Sequence, residues 1–302
     1  MIRHLGLKAY GKINLGLDVL RKREDGYHEV RMIMQTVGLY DKIDLYLKET
    51  PGIEIASNLF YLPVNENNLA YKAAKLLMEE FGVPHGITIR LKKFIPVAAG
   101  MAGGSSDAAA VLFGVNKMFR LGLTREELME RGVKIGADVP YCILRGTALS
   151  EGIGEILTPL PAIPQCQVLI AKPSVSVSTK FVYEHLDADG LRGVDHPDID
   201  GIIEALKSRD IYQVAGHLGN VLEMVTVPEY PVIARIKEKM KELGAVNALM
   251  SGSGPTVFGI FTNPNAAETA YEKLRHGESS SRLAKQVYLT NFYNTKEISN
   301  EQ

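Results

Sequence analysis

Three glycines, Gly100, Gly103 and Gly104, fall within five residues, between an alternating apolar stretch and the alanine-rich run that follows Ser105 and Ser106. Glycine lets a backbone take positive φ and approach a ligand closely. The run PVAAGMAGGSSDAAAVLFGV therefore predicts a strand end, a tight loop and a helix in direct succession. The first N–H groups of such a helix and its positive dipole end form an anion site. Ser105 or Ser106 can cap the helix, and either hydroxyl can also meet a phosphate or its Mg²⁺. A plain tight turn with a serine cap accounts for Ser105 and one glycine, but less well for three. No Lys-Ser/Thr pair follows the glycines, so the loop is not of the Walker type. There is no HRD or DFG set, no GxGxxG opening a Rossmann unit and no GxSxG elbow.

Around this centre the chain alternates between two periods. Leu5, Leu7 and Ala9, then Ile13, Leu15, Leu17 and Val19, recur every second residue, as half-buried strands do. Asp25–Gly26 marks a turn in the polar segment that follows. A helix is expected after Asn68, stopping at Gly82, and Ile87, Ile89 and Leu91 alternate as another strand. The central helix should end near Gly122, and Thr124 with Glu127 spells a capping box for a short helix ending near Gly136. In TPLPAIP (Thr158–Pro164) three prolines forbid a regular element, which makes it a linker and divides the chain at 1–160 and 161–302. Beyond it, strands at Val168–Ala171, Thr256–Phe261 and Val287–Leu289 alternate with helices at Pro231–Leu243 and Ala266–Leu274. That pattern is α+β and resembles a ferredoxin-like sandwich. The last six residues, polar and charged, are expected to fray.

The chain has 302 residues, room for one large domain or two modest ones. Its net charge of −1 gives no electrostatic reason for a nucleic-acid or anionic-membrane partner. The two cysteines, Cys142 and Cys166, form neither a CxxC pair nor a Cys/His cluster, so no zinc site or disulfide framework is expected. Cys142 in its apolar run is expected to be a buried small hydrophobe. The N-terminus lacks a secretory signal and no run approaches 18 apolar residues, which fits a cytoplasmic protein.

Three separated segments carry a resemblance. YGKINLGL (Tyr10–Leu17), PVAAGMAGGSSDAA (Pro96–Ala109) and MSGSGPTVF (Met250–Phe258) resemble, in order and spacing, the signature motifs of the GHMP kinases. The segments Asp25–His28, Gly136–Pro140 and Glu151–Pro159 are similar to the branch that phosphorylates a cytidylyl polyol. That acceptor is 4-diphosphocytidyl-2-C-methyl-D-erythritol, used at its 2-hydroxyl in non-mevalonate isoprenoid precursor synthesis. The likeness weakens only between about Asp187 and Val227. It implies the two-domain GHMP fold: an N-terminal mixed-sheet domain, a C-terminal ferredoxin-like domain and a cleft between them. It implies ATP with Mg²⁺, a small-molecule acceptor, no nucleic acid or membrane, and a monomer or homodimer.

The same resemblance implies roles. Asp138 matches the carboxylate that takes the acceptor's proton, and Lys12 the lysine that keeps it ionised. Pro96, Val97, Ala98, Ala99, Gly100, Met101, Ala102, Gly103, Gly104, Ser105 and Ser106 match the ATP loop, with Met101 where leucine is commoner. Asn68 resembles an adenine-pocket residue. Asn14 helps place the acceptor, Tyr27 and His28 hold the cytosine, and Thr179 lies near the ribose. Tyr183 stacks on the base where some relatives carry phenylalanine. The protein ligands of the metal stay unassigned.

Taken without the resemblance, the same residues leave alternatives open. A lysine such as Lys12 is usually a solvated strand-edge residue, although Asn14 on the same face of an apolar strand argues otherwise. Asp138 fits a turn or cap, and the segment Ser251–Pro255 is equally a hairpin turn or a wall of the phosphate or acceptor site. The competing functions are a homoserine- or mevalonate-type kinase, which needs no aromatic clamp, and a non-catalytic nucleotide or ligand sensor, which would be expected to lack Lys12 or Asp138.

Overall fold

The alternating positions from Leu5 to Val19 form a single long strand, β1 (His4–Lys22), and a second alternating run forms β2 (His28–Lys48), in a computed structural model that describes residues 2–188, 191, 196–277 and 283–295. The Asp25–Gly26 signal is a turn: Asp25 Oδ1 accepts the Tyr27 N–H at 3.0 Å, and Gly26 takes φ +85°. Next come β3 (Gly52–Ser57), α1 (Leu69–Glu80), β4 (Gly86–Lys92), α2 (Gly103–Phe119), α3 (Arg125–Val133), α4 (Val139–Leu144), β5 (Thr147–Glu151) and β6 (Ile156–Pro159). The chain continues with β7 (Gln167–Lys172), α5 (Thr179–His185), α6 (Ile199–Lys207), α7 (Ile211–Gly216), β8 (Gly219–Asn220), α8 (Glu223–Glu229) and α9 (Val232–Glu242). It closes with β9 (Asn247–Met250), β10 (Val257–Phe261), α10 (Pro264–His276) and β11 (Gln286–Asn291). The residues expected to fray lie outside the described ones.

Two compact units share these elements: residues 1–11, 39–97 and 102–144 form the first, and 12–38, 98–101 and 145–302 the second. In the first, β4 pairs antiparallel with β2, Lys42 opposite Lys92, and parallel with β3. Ile43, Leu45, Ile87 and Ile89 from the sheet and Leu77, Leu112 and Val115 from α1 and α2 are fully buried. Gly114 permits that packing, because a Cβ there would lie 2.3 Å from Leu45. Helix α3 starts on the expected capping box: Thr124 Oγ1 accepts the Glu127 N–H at 3.2 Å and Glu127 Oε2 accepts the Thr124 N–H at 2.8 Å.

Helix α2 departs from expectation at its start. Gly103 is already helical, Ala102 precedes it in the left-handed region, and no side chain caps it. Ser105 and Ser106 lie inside the first turn instead, where Ser106 Oγ donates to the Tyr10 carbonyl at 2.6 Å. That hydroxyl ties the helix to β1, and the first N–H groups keep no side-chain partner.

In the second unit β2 pairs with β5 and β5 with β6. The proline-rich segment was expected to hold no regular element, yet Thr158 and Pro159 belong to β6, opposite Leu149 and Ala148. A proline is tolerated there because β6 pairs on one side only. The remaining sheet runs β11-β7-β10-β9, all antiparallel. Its first and third strands in chain order are central, the ferredoxin-like order, and α9 and α10 pack on it. Burial pushes the Cys166 thiol up to about 12 and so removes it as a nucleophile at neutral pH. Among the described residues no helix is long and apolar enough to cross a membrane.

Candidate active site

The two polar residues on the apolar centre of β1 point to one face, being two apart. Lys12 is 5% and Asn14 0% exposed, so Lys12 is not a solvated strand-edge lysine. Its Nζ donates to Asn14 Oδ1 at 2.8 Å, and Asn14 Nδ2 meets Met32 Sδ at 3.3 Å. The Lys12 backbone N–H donates to the Met101 carbonyl at 3.2 Å, which joins this strand to the glycine-rich loop.

In that loop Ala98, Gly100 and Ala102 take φ of +49°, +71° and +53°. Left-handed residues alternating with others turn successive N–H groups to one side, a concavity suited to anions. Two of the three are alanines, each held there against a cost of roughly 1–2 kcal/mol. Nothing in the sequence flags them. Gly103 serves close packing instead: a Cβ there would lie 3.2 Å from the Ile95 side chain, whereas one on Gly104 would meet Leu69 at an ordinary 3.5 Å.

The second glycine turn joins β9 to β10 and is thus a hairpin, but it also presses on the first loop. Ser251 Oγ donates to the Gly100 carbonyl at 2.9 Å. A Cβ on Gly252 would lie 3.2 Å from Gly100 Cα and 3.6 Å from Asn14 Oδ1. Thr179 Oγ1 and Ser253 Oγ share a hydrogen bond of 2.8 Å, which brings the residue expected near a ribose onto this turn. Close by in sequence, the Tyr183 and His28 rings lie 5.2 Å apart at 46°, while Tyr27 is 60% exposed.

Two predicted residues serve local structure as well. Asn68 caps α1, its Oδ1 accepting the Ala70 N–H and its Nδ2 donating to the Pro63 carbonyl, both at 2.9 Å. Asp138 stands at the start of α4, half-buried, its backbone carbonyl accepting the Cys142 N–H at 3.1 Å.

A buried ionic trio in the first unit went unforeseen. Lys93 Nζ bonds the carboxylates of Asp41 and Asp107 and reaches the Gly103 carbonyl at 3.3 Å. Asp41 Oδ1 also accepts the Phe94 and Ile95 N–H groups. Burial drives the Asp107 carboxyl up to about 7, against the pull of Lys93 and with the push of Asp41. Burial likewise opposes the charge on Lys93, yet the two carboxylates hold its ammonium above the ordinary value. The one sequence signal was an aspartate leading into the run Ala108–Ala110, on a helix face with no solvent. Among the described residues no group of three or more histidine, cysteine or acidic side chains is placed to hold a metal ion.

Comparison with known proteins bears on this arrangement. Residues 68–146 match the model of the GHMP kinases N terminal domain and residues 196–278 that of the GHMP kinases C terminal domain. The 4-diphosphocytidyl-2-C-methyl-D-erythritol kinase of Lachnoclostridium phytofermentans is 56% identical over 97% of this chain and 99% of its own length. The kinase of the same name from Lachnospira eligens is 59% identical over 94% and 96%. A crystal structure of 4-(cytidine 5'-diphospho)-2C-methyl-D-erythritol kinase covers 96% of this chain and 100% of its own, at 31% identity and a TM-score of 0.77. A homoserine kinase from Cytophaga hutchinsonii shares the fold, at 20% identity and a TM-score of 0.75. With more than half its residues identical to theirs over nearly the whole of both chains, this chain belongs to the 4-diphosphocytidyl-2-C-methyl-D-erythritol kinase family of the GHMP kinases.

Proposed function

We propose that this chain is an ATP-dependent kinase that phosphorylates the 2-hydroxyl of 4-diphosphocytidyl-2-C-methyl-D-erythritol, with MgATP as donor. The observation that carries the reading is the Lys12–Asn14 pair, buried on β1 with Gly252 and the positive-φ loop around it. A buried ammonium beside a backbone anion cradle is suited to phosphoryl transfer, which needs positioning and charge neutralisation more than covalent chemistry.

In this reading residues 96–106 hold the nucleotide, Asn68 serves the adenine, and Asn14 and Thr179 position the acceptor. The Asp138 carboxylate accepts the proton of the attacking hydroxyl, and Lys12 offsets the negative charge that develops there. His28, Tyr27 and Tyr183 clamp the cytosine. The division at residues 1–160 and 161–302 belongs to the same proposal, supported by family matches that fall on either side of it. So do a cytoplasmic location and a monomeric or homodimeric state.

The test is turnover of the cytidylyl acceptor with MgATP. Asp138→Asn is expected to lose nearly all kcat while MgADP still binds; an undiminished rate removes Asp138 as the base. Tyr183→Ala is expected to raise the acceptor KM by one to two decades, since base–aromatic stacking contributes about 1–3 kcal/mol. An unchanged KM would favour a homoserine- or mevalonate-type acceptor.

A further inference from the structure

A two-residue strand between α7 and α8 pairs with β1. In β8, Gly219 pairs with Gly16 and Asn220 with Leu17, in parallel. The Asn220 side chain is buried and uses all its polar atoms. Its Nδ2 donates to the Met250 carbonyl at 2.9 Å and the Gly252 carbonyl at 2.8 Å, and its Oδ1 accepts the Leu222 N–H at 3.0 Å. The two carbonyls flank Ser251, the residue whose hydroxyl bonds the Gly100 carbonyl.

We propose that Asn220 is a positioning residue that seats the second glycine turn against Gly100 and thereby fixes the loop that holds the nucleotide phosphates. It rests on the nucleotide-loop reading above and extends it to a residue whose polar atoms are spent on the backbone of Met250, Gly252 and Leu222.

The chemistry of the site selects asparagine. The turn carries two left-handed glycines, Gly252 and Gly254, and a glycine backbone is soft. Two carbonyls on either side of one residue need two donors from one rigid group, and a carboxamide supplies both. Aspartate has the size but no N–H, glutamine is longer by a methylene, and serine has a single donor.

The turn does not depend on Asn220 for its existence. Gly254 N–H donates to the Ser251 carbonyl at 3.0 Å, Ser251 N–H to the Thr256 carbonyl at 2.9 Å, and Met250 N–H to Glu223 Oε1 at 2.8 Å. What Asn220 adds is placement. Its loss should therefore register on the nucleotide rather than on global folding.

The experiment compares MgADP affinity by calorimetry, steady-state kinetics and thermal unfolding for wild type, Asn220→Asp, Ser251→Ala and the double variant. Asn220→Asp keeps the acceptor for Leu222 and turns an oxygen towards two carbonyls. We expect MgADP affinity and kcat/KM for ATP to fall about tenfold or more, as a loss of one or two buried hydrogen bonds gives. The acceptor KM should change by less than the MgADP affinity, since the turn meets Thr179 and Asn14 through Ser253 and Gly252 but meets the nucleotide loop directly at Gly100. Ser251→Ala should show the same split, and the double variant should be little worse than Asn220→Asp alone, because both act through one contact.

Unchanged MgADP affinity in a folded Asn220→Asp, equal loss for both substrates, or additive effects in the double variant would overturn the proposal. If Asn220→Asp does not fold, Ser251→Ala decides alone: a wild-type nucleotide affinity there sinks it. A wild type that binds MgADP but ignores the cytidylyl acceptor refutes only the acceptor assignment. A wild type that binds no MgADP overturns both readings.

Discussion

Gly100→Ala is expected to cost more activity than any other single substitution in the glycine-rich run, with turnover falling about a hundredfold or more, the scale of a misplacement of roughly 1 Å. A Cβ built on Gly100 lies 2.0 Å from the Ser251 carbonyl oxygen, 2.9 Å from its carbon and 3.4 Å from the Gly254 nitrogen. These are backbone atoms, so no rotamer relieves the clash. They belong to a turn that Asn220 grips at two carbonyls and Thr226 Oγ1 reaches at 3.4 Å. The loop or the turn must move. The positive φ of Gly100 adds about 1–2 kcal/mol of strain for any residue with a side chain. Strain alone is tolerable here, since Ala98 and Ala102 already bear it. Gly122→Ala separates the two effects: Gly122 takes φ +78° with nothing within 4 Å of an added Cβ. That variant should keep the wild-type rate and lose only the stability that strain removes. Steady-state kinetics on both decides; a Gly100→Ala enzyme with wild-type kcat/KM would refute the close approach of the two glycine turns.

What the sequence disclosed was local. Period-two alternation located β1 and β4, Asn68 and Thr124 marked helix starts through their caps, and Asp25–Gly26 marked its turn. Each of these is decided by residues within a few positions of one another. The start of α2 was misjudged because a hydroxyl can bond a distant carbonyl as readily as a nearby N–H, and Ser106 chose Tyr10. The left-handed alanines carry no signal, since alanine is ordinarily the residue least in need of such a conformation. Segment Thr158–Pro159 joined a sheet because a one-sided edge does not require every N–H. Asn220 and Lys93 were missed for a related reason: their partners lie 30 or more and 14 or more residues away, at Met250 and Gly252, and at Asp107 and Asp41. Of the candidate site, the residue types were legible through family motifs. The joining of Gly100 to Ser251, and of Thr179 to Ser253, was legible only in three dimensions.

The buried trio carries the second large effect, on stability. Lys93→Met would leave two buried carboxyl groups facing one another without their cation, one of them forced to take up a proton, and breaking a buried pair by removing one partner costs about 3–5 kcal/mol. The urea midpoint should fall accordingly, and adding Asp107→Leu should restore part of the loss, because only Asp41 then remains, and the Phe94 and Ile95 N–H groups already bond its carboxylate. Asp107 also gives stability a pH dependence of definite sign. Its carboxyl titrates at about 7 in the folded chain, against about 3.9 in an unfolded one. Between those values the folded state holds a proton that the unfolded state has released. The contribution is therefore present in full below roughly pH 4 and is lost as pH rises through about 7. Lys93, held above its ordinary value, stays protonated in both states across this window and adds no slope. Asp107→Asn cannot titrate. Wild type should thus lose stability relative to Asp107→Asn as pH rises from about 5 to about 8, read from urea unfolding at both ends. A difference that does not change with pH would show that Asp107 is ionised throughout, and that Lys93 outweighs both burial and Asp41.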